Sequence, residues 1–202
     1  MGDLTMSKNY ELLKQQIEES IELKKKVLDE VENILTIGGV VAKAFKDGNK
    51  VFAFGNGGSA ADAQHIVAEL AGRFNMDRPS LPAEALTTNT STLTALANDY
   101  GYDEVFSHIV KGVCKKGDVL IALSTGGDSR NVIRGAEEGK RLGAIVVGFT
   151  GKKGGKLKAL SDYVIHVRSS STARIQETHI LCGHLICDIV ERTLFSQSKD
   201  EL

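Results

Sequence analysis

Two pairs of polar side chains stand out in the 202-residue sequence because apolar residues surround them. His65 and Glu69 are four residues apart, so on a helix they share a face about 40° wide. Gln176 and His184 are eight apart, about 80° around the axis of a second helix, with Ile180 between them. Imidazole, carboxylate and carboxamide groups can donate, accept or move protons, which is the chemistry such side chains offer a substrate. Plainer readings stand beside this one: His65 and Glu69 as a surface pair, and His184 as a hydrogen-bonded core histidine. Ile66, Val67, Ala68 and Leu70 predict a largely buried first helix, where a carboxylate needs a partner or a task. His179 falls about 140° from His184 and is not expected to act with it. Cys182, His184 and Cys187 suggest a metal cluster only superficially; helical angles scatter them, and both cysteines read as core packing.

The run Ser124-Thr125-Gly126-Gly127-Asp128-Ser129 sets two glycines among three hydroxyls ahead of a helical segment. Free backbone N–H groups, the positive end of a helix dipole and hydroxyl donors together suit a phosphate. Ser129 reads equally well as a plain N-cap. No Gly-Lys-Ser/Thr follows, which excludes an ATP-type phosphate loop. The run Gly55-Asn56-Gly57-Gly58-Ser59 is more ambiguous, since Gly55-x-Gly57-x-x-Ala60 also fits a dinucleotide fingerprint. That reading wants an acid at the end of the next strand, about 20 residues on, and Asp77 sits in an Arg- and Pro-containing loop instead.

These residues need elements to position them. Apolar runs predict strands near residues 50–54, 84–86, 118–123, 144–149 and 163–167. Helices are expected over about 60–72, 90–97 and 103–113, from the hydroxyl run to about 142, and over about 173–194. Strand–turn–helix alternation implies an α/β three-layer αβα sandwich on a mostly parallel sheet. Ligands bind beyond the carboxyl ends of such strands, where both glycine-rich runs lie. Leu13, Ile17, Ile21, Leu28, Val31 and Leu35 recur at helical spacing and predict an N-terminal helical segment over residues 10–45, broken into two helices at Gly38-Gly39. With no sheet of its own, this segment is expected either to pair with another subunit or to pack back on its own domain. Residues 1–202 read as one domain.

Composition narrows the function. A net charge of −1 provides no basic field for nucleic acid or an anionic membrane. No apolar run approaches the length of a membrane span. Three cysteines argue against a disulfide scaffold and for a reducing compartment, and residues 1–10 lack the apolar core of a secretory signal, so a cytoplasmic location is expected. The terminal Lys199-Asp200-Glu201-Leu202 spells an ER-retention tetrapeptide but reads here as a solvated tail.

Longer runs carry a resemblance. The stretch from Gly55 to His65, Ala68-Glu69-Leu70-Ala71-Gly72-Arg73, Asn98-Asp99-Tyr100-Gly101, the Ser124–Ser129 run and Arg174-Ile175-Gln176-Glu177 with His184 are similar to the sugar isomerase (SIS) domain family. Within it the chain resembles the phosphoheptose isomerases. The resemblance implies conversion of sedoheptulose 7-phosphate to D-glycero-D-manno-heptose 7-phosphate, for the heptose of bacterial lipopolysaccharide or capsule, by a homotetramer with sites at subunit interfaces. It implies a zinc site at His65, Glu69, Gln176 and His184, with Glu69 as base and His184 as acid. Substrate contacts are implied for Asn56, Gly57, Gly58, Ser59, Glu69, Asn98, Asp99, Ser124, Thr125, Gly126, Ser129 and Gln176. The chain departs from the pattern at Gly126, where the family commonly has a third hydroxyl, and at Ala173, where some members have Asp. Two rivals share the fold: a sugar-phosphate sensor, and a non-enzymatic relative that binds the bacterial replication initiator. The latter is similar to this chain through Arg78-Pro79-Ser80-Leu81-Pro82-Ala83 and Arg192-Thr193-Leu194-Phe195, but looks to lack the groups matching Glu69 and His184.

Overall fold

The computed structural model describes the backbone of residues 2–196 and the side chains of residues 6–196. The retention-like tail at 199–202 lies outside the described residues. Among the described residues, five parallel strands form one sheet: β1 (Val51–Gly55), β2 (Ala83–Ala85), β3 (Val119–Ser124), β4 (Ile145–Thr150) and β5 (Tyr163–His166), in the order β2-β1-β3-β4-β5. Each strand falls within two residues of its predicted position. Every residue of β1 and β3 is buried, as expected for strands covered on both faces.

The strand order decides which helix covers which face. Right-handed crossovers place the connecting helix on opposite faces when the chain moves in opposite directions across a sheet. The β1-to-β2 step runs one way, with α3 (Gly58–Ala71) between; the steps to β3, β4 and β5 run the other way. Accordingly α4 (Thr90–Tyr100), α5 (Val105–Val113), α6 (Arg130–Leu142) and α7 (Gly155–Leu160) gather on the second face, packed on Phe52, Phe54, Leu120, Ala122 and Val146. The first face presents Ala53, Ile121, Leu123, Val147 and Phe149 to α3, α2 (Val31–Lys46) and α8 (Thr172–Phe195). The reversal point lies between β1 and β3, whose ends Gly55 and Leu123 are register partners. A crevice opens at such a point, and both glycine-rich runs begin there.

The N-terminal segment is helical from Gly2, earlier than expected, and its break falls elsewhere. α1 (Gly2–Lys26) and α2 are separated by a single 3-10 stretch, Val27–Glu30, and Gly38-Gly39 lies inside α2. Gly38 is there for packing: a Cβ at this position would stand 2.5 Å from the side chain of Ile189 on α8. α1 touches the start of α8 through Ser20 Oγ, which donates to Glu177, and through Gln16 O, which accepts from Arg174. Beyond these contacts it presents Tyr10, Leu13 and Ile17 to solvent.

The predicted core residues on α8 are found there. Cys182 and Cys187 are buried free thiols, each pushed up to about 12 by burial, which makes them inert packing groups. His179 is fully buried between Phe149 and the end of β4, with Nε2 donating to Thr150 O at 3.2 Å. Burial lowers its pKa to about 4, so it is neutral at physiological pH.

Candidate active site

α3 and α8 run side by side in the same direction at the crevice, and two glycines let them approach. A Cβ at Gly58 would stand 2.3 Å from the Gln176 amide, and one at Gly183 would stand 2.7 Å from Ile66. The contacts form a ladder: Gln176 over Gly58, Gly183 against Ile66, then His184 beside His65. His184 Nε2 lies 3.1 Å from His65 Nε2, and His65 Nε2 lies 3.1 Å from Glu69 Oε1. His65, Glu69 and His184 thereby offer three ligating atoms within 4.8 Å of one another, the one such group of His, Cys, Asp and Glu side chains among the described residues. The i,i+4 spacing on α3 thus makes more than a surface pair, because a third group arrives from α8. Gly183→Ala is expected to push the helices apart and cost about 1–3 kcal/mol by overpacking, read as a lower denaturant midpoint at unchanged slope.

The donor chemistry fits a zinc ion: two imidazoles and a carboxylate are its ordinary ligands, and a neutral histidine protonated on Nδ1 presents a free Nε2 lone pair. Gln176 sits at the start of the same ladder, against Gly58. About half of the His65 side chain and a quarter of Glu69 remain exposed (49% and 23%), so the cluster is open to a small molecule.

The turn after β1 places the neighbouring groups. Gly57 adopts φ +54°, which favours glycine, and turns the chain into α3. Ser59 is buried at the start of that helix. Asn56 forms a reciprocal amide pair with buried Asn131 at the start of α6, both bonds 2.9 Å, and its Oδ1 also accepts from Tyr102 at 3.0 Å. Asn98 and Asp99 are exposed near the end of α4, joined by a 2.9 Å bond from Asn98 Nδ2 to Asp99 Oδ1.

The Ser124–Ser129 loop follows β3 at the crevice. Ser124 is buried, its Oγ accepting from Gly127 N at 3.1 Å and lying 3.0 Å from Ser129 Oγ. Ser129 holds the N-cap position of α6, but its hydroxyl makes no capping bond and turns to Ser124 instead. Thr125 and Gly126 line a cavity of about 200 Å³ with Lys152, Lys153, Ser169 and Thr172. An added Cβ at Gly126 meets nothing within 4 Å, so the missing third hydroxyl leaves open space.

Three residues of this neighbourhood escaped the sequence reading. Asn131 and Tyr102 are the groups that hold Asn56. Asp62 lies one turn before His65 on the same stripe of α3, with Oδ2 buried and unbonded; burial raises its pKa to about 6, with His65 opposing. The i−3 spacing from His65 was the signal that could have found it. Asp77, the acid wanted by the dinucleotide reading, precedes β2 rather than ending it.

Known proteins are similar to this chain in sequence and fold. Residues 15–151 fit the model of the SIS domain. A phosphoheptose isomerase of Aquifex aeolicus is 52% identical over 167 residues, 83% of this chain and 87% of its own length. One from Clostridium acetobutylicum is 47% identical over 197 residues, covering 96% and 100%. Among solved structures, a phosphoheptose isomerase from Neisseria gonorrhoeae superposes with a TM-score of 0.85 at 40% identity, covering 90% of this chain and 98% of that one. One from Francisella tularensis gives 0.88 at 34%, covering 91% and 98%. With the crevice, the hydroxyl loop and the paired helices in place, the chain belongs to the SIS domain family, in the branch of the phosphoheptose isomerases.

Proposed function

We propose that this chain is a ketose–aldose isomerase that converts sedoheptulose 7-phosphate to D-glycero-D-manno-heptose 7-phosphate, with a zinc ion at His65, Glu69, His184 and Gln176. The observation that carries the reading is the convergence of His65, Glu69 and His184 from α3 and α8. The isomerisation removes a proton from C1 of the ketose and returns one at C2, through an enediol. Glu69 is the base that takes the C1 proton and, after exchange with water, returns one to C2. His184 moves the accompanying proton from O1 to O2, so charge does not build up on either oxygen. A bound zinc ion supplies Lewis-acid polarisation of the carbonyl. The phosphate is held by Ser124, Thr125 and Ser129 at the N-terminus of α6, where the helix dipole favours an anion. Gly126 leaves that loop one hydroxyl short. Asn56, Gly57, Gly58, Ser59, Asn98, Asp99 and Gln176 bind and orient the sugar, and the Asn131–Asn56 pair fixes which way the Asn56 amide faces.

A homotetramer is part of the proposal. Leu13, Ile17, Leu28 and Leu35 are between 53% and 74% exposed along the N-terminal helices, and a subunit interface would cover them. A cytoplasmic location suits three free cysteines, and no described helix is long and apolar enough to cross a membrane. Within the run shared with the initiator-binding relative, the Arg78 side chain is 1% exposed and bonded within the fold, which leaves that side chain no surface to offer a partner.

The test is the reaction itself. Purified protein with zinc and sedoheptulose 7-phosphate, followed by NMR, is expected to accumulate an aldose 7-phosphate. Binding of the sugar phosphate without conversion would replace this reading with a sensor. Capture of the purified replication initiator with no turnover would point to the replication role.

A further inference from the structure

The segment between α3 and β2 carries a stacking contact that reaches the cluster. The Phe74 ring lies on His184, centroids 5.6 Å apart and planes 23° from parallel. Phe74 is in turn held by α8. Its N–H donates to Glu191 Oε1 at 2.7 Å, while Asn75 and Met76 N–H groups donate to Oε2 at 2.7 and 3.0 Å. Arg78 Nε adds a fourth bond to Glu191 at 2.9 Å, and both side chains of that pair are 1% exposed. The rest of the guanidinium reaches back to the end of α3: Nη2 donates to Glu69 O at 2.7 Å, and Nη1 to Leu70 O and Gly72 O at 2.7 and 3.0 Å. One buried ion pair therefore ties together the helix carrying Glu69, the helix carrying His184 and the ring stacked on His184.

Packing alone does not require this. Apolar side chains of similar volume often replace a buried ion pair with no loss of stability. What a planar guanidinium and a four-bonded carboxylate add is direction, because each bond works at only one setting of the segment. His184 is partly exposed, and its ring orientation decides whether Nε2 faces His65. Neighbours that orient a ligating imidazole in this way commonly matter nearly as much as the ligands.

Resting on the proposed role of His184, the geometry points to Phe74 as a positioning residue that sets the His184 ring, held in place by the Arg78–Glu191 staple. The ring acts by removing rotational freedom from the imidazole. Truncating it while keeping apolar volume should loosen the cluster and leave the phosphate loop alone.

The experiment uses the full-length chain as wild type, Phe74→Leu and Phe74→Tyr, with Phe74→Met as a second ring-less variant should Leu impair folding. Zinc affinity of metal-stripped protein is measured by calorimetry, and kcat and KM for sedoheptulose 7-phosphate on the zinc-saturated forms. Phe74→Leu is expected to weaken zinc by about 10-fold or more and lower kcat to a similar extent. KM should stay within about 2-fold, since uniform binding is untouched. Phe74→Tyr keeps the ring and should restore both. A folded Phe74→Leu or Phe74→Met protein with wild-type zinc affinity and kcat overturns the inference, as does a Tyr variant no better than Leu. A wild type that binds zinc but turns nothing over sinks the isomerase reading alone, and the zinc difference between wild type and Phe74→Leu still decides the positioning role. Should the wild type neither bind zinc nor turn over, both fall.

Discussion

Replacing Glu69 with Gln is expected to slow conversion of sedoheptulose 7-phosphate by about 10²–10⁴-fold, the range for losing a positioned acid–base group. Gln keeps the shape of Glu and its ability to accept a hydrogen bond, but it cannot take a proton from C1. The substitution sits on α3 with its side chain 23% exposed, so no buried charge is stranded and stability should change by no more than about 0.5 kcal/mol. Glu69 is also a proposed zinc ligand, and the comparison is therefore made at saturating zinc. Rates from NMR time courses give the catalytic effect, and a calorimetric melt confirms the fold. A variant within tenfold of wild type would show that the proton is carried by another group, with Asp62 one turn away the first to examine.

The second large effect is on stability. Arg78→Met should cost about 3–5 kcal/mol, because removing one partner of a buried pair leaves the other's charge uncompensated. Met retains much of the apolar stem, so the loss reports the guanidinium and its bonds to Glu191 and to the end of α3. The pH dependence should change with it. Burial pushes Glu191 up, but the N–H groups of Phe74, Asn75 and Met76 and the Arg78 side chain outweigh that and hold it below its usual 4.5. A carboxylate depressed in the folded state contributes stability that is fully present above its unfolded pKa and is lost as pH falls through the folded one. Without Arg78 the folded pKa rises towards the unfolded one, so this contribution shrinks and its loss on acidification is smaller and complete at a higher pH. Urea titrations of both proteins between pH 7 and 3 measure this; a difference under about 1 kcal/mol at pH 7 would mean the pair is replaceable by packing alone.

Much of this was legible because the sheet is parallel and covered on both faces. Strands such as Val51–Gly55 and Val119–Ser124 are short apolar runs ended by glycine-rich turns, and both features are local in sequence. The long apolar rhythm of the N-terminal helices was equally plain. Its break was not. Glycine pairs commonly interrupt helices, yet Gly38-Gly39 stays helical because Ile189 fills the space beside Gly38, a contact across about 150 residues that no local pattern encodes. The actual break, Val27–Glu30, contains neither glycine nor proline. The six-residue helix α7 escaped because it is barely more than one turn between glycines and a strand.

The site divides in the same way. His65 with Glu69 could be placed on one face by spacing alone, but the arrival of His184 beside them depends on how α8 packs, and Gly183 gives no sign of that in the sequence. Asn131 and Tyr102 look like ordinary residues at the starts of helical turns until they are seen to hold Asn56. The Arg78-Pro79 run carried the resemblance to the rival relative. It resembled a partner-binding motif, whereas the folded chain uses Arg78 internally, where its bonds to the end of α3 and to Glu191 could be found only in three dimensions.

The most direct test of the central claim follows one hydrogen. Glu69 and His65 are partly open to solvent, so a proton held on Glu69 during the enediol stage exchanges with water. With zinc-loaded wild-type protein and sedoheptulose 7-phosphate in D2O, the aldose product is predicted to carry deuterium at C2. Product that is fully formed yet unlabelled would mean that the C1 hydrogen reaches C2 without passing through a solvent-open carboxylate, and absence of product would mean no isomerisation; either result contradicts the account.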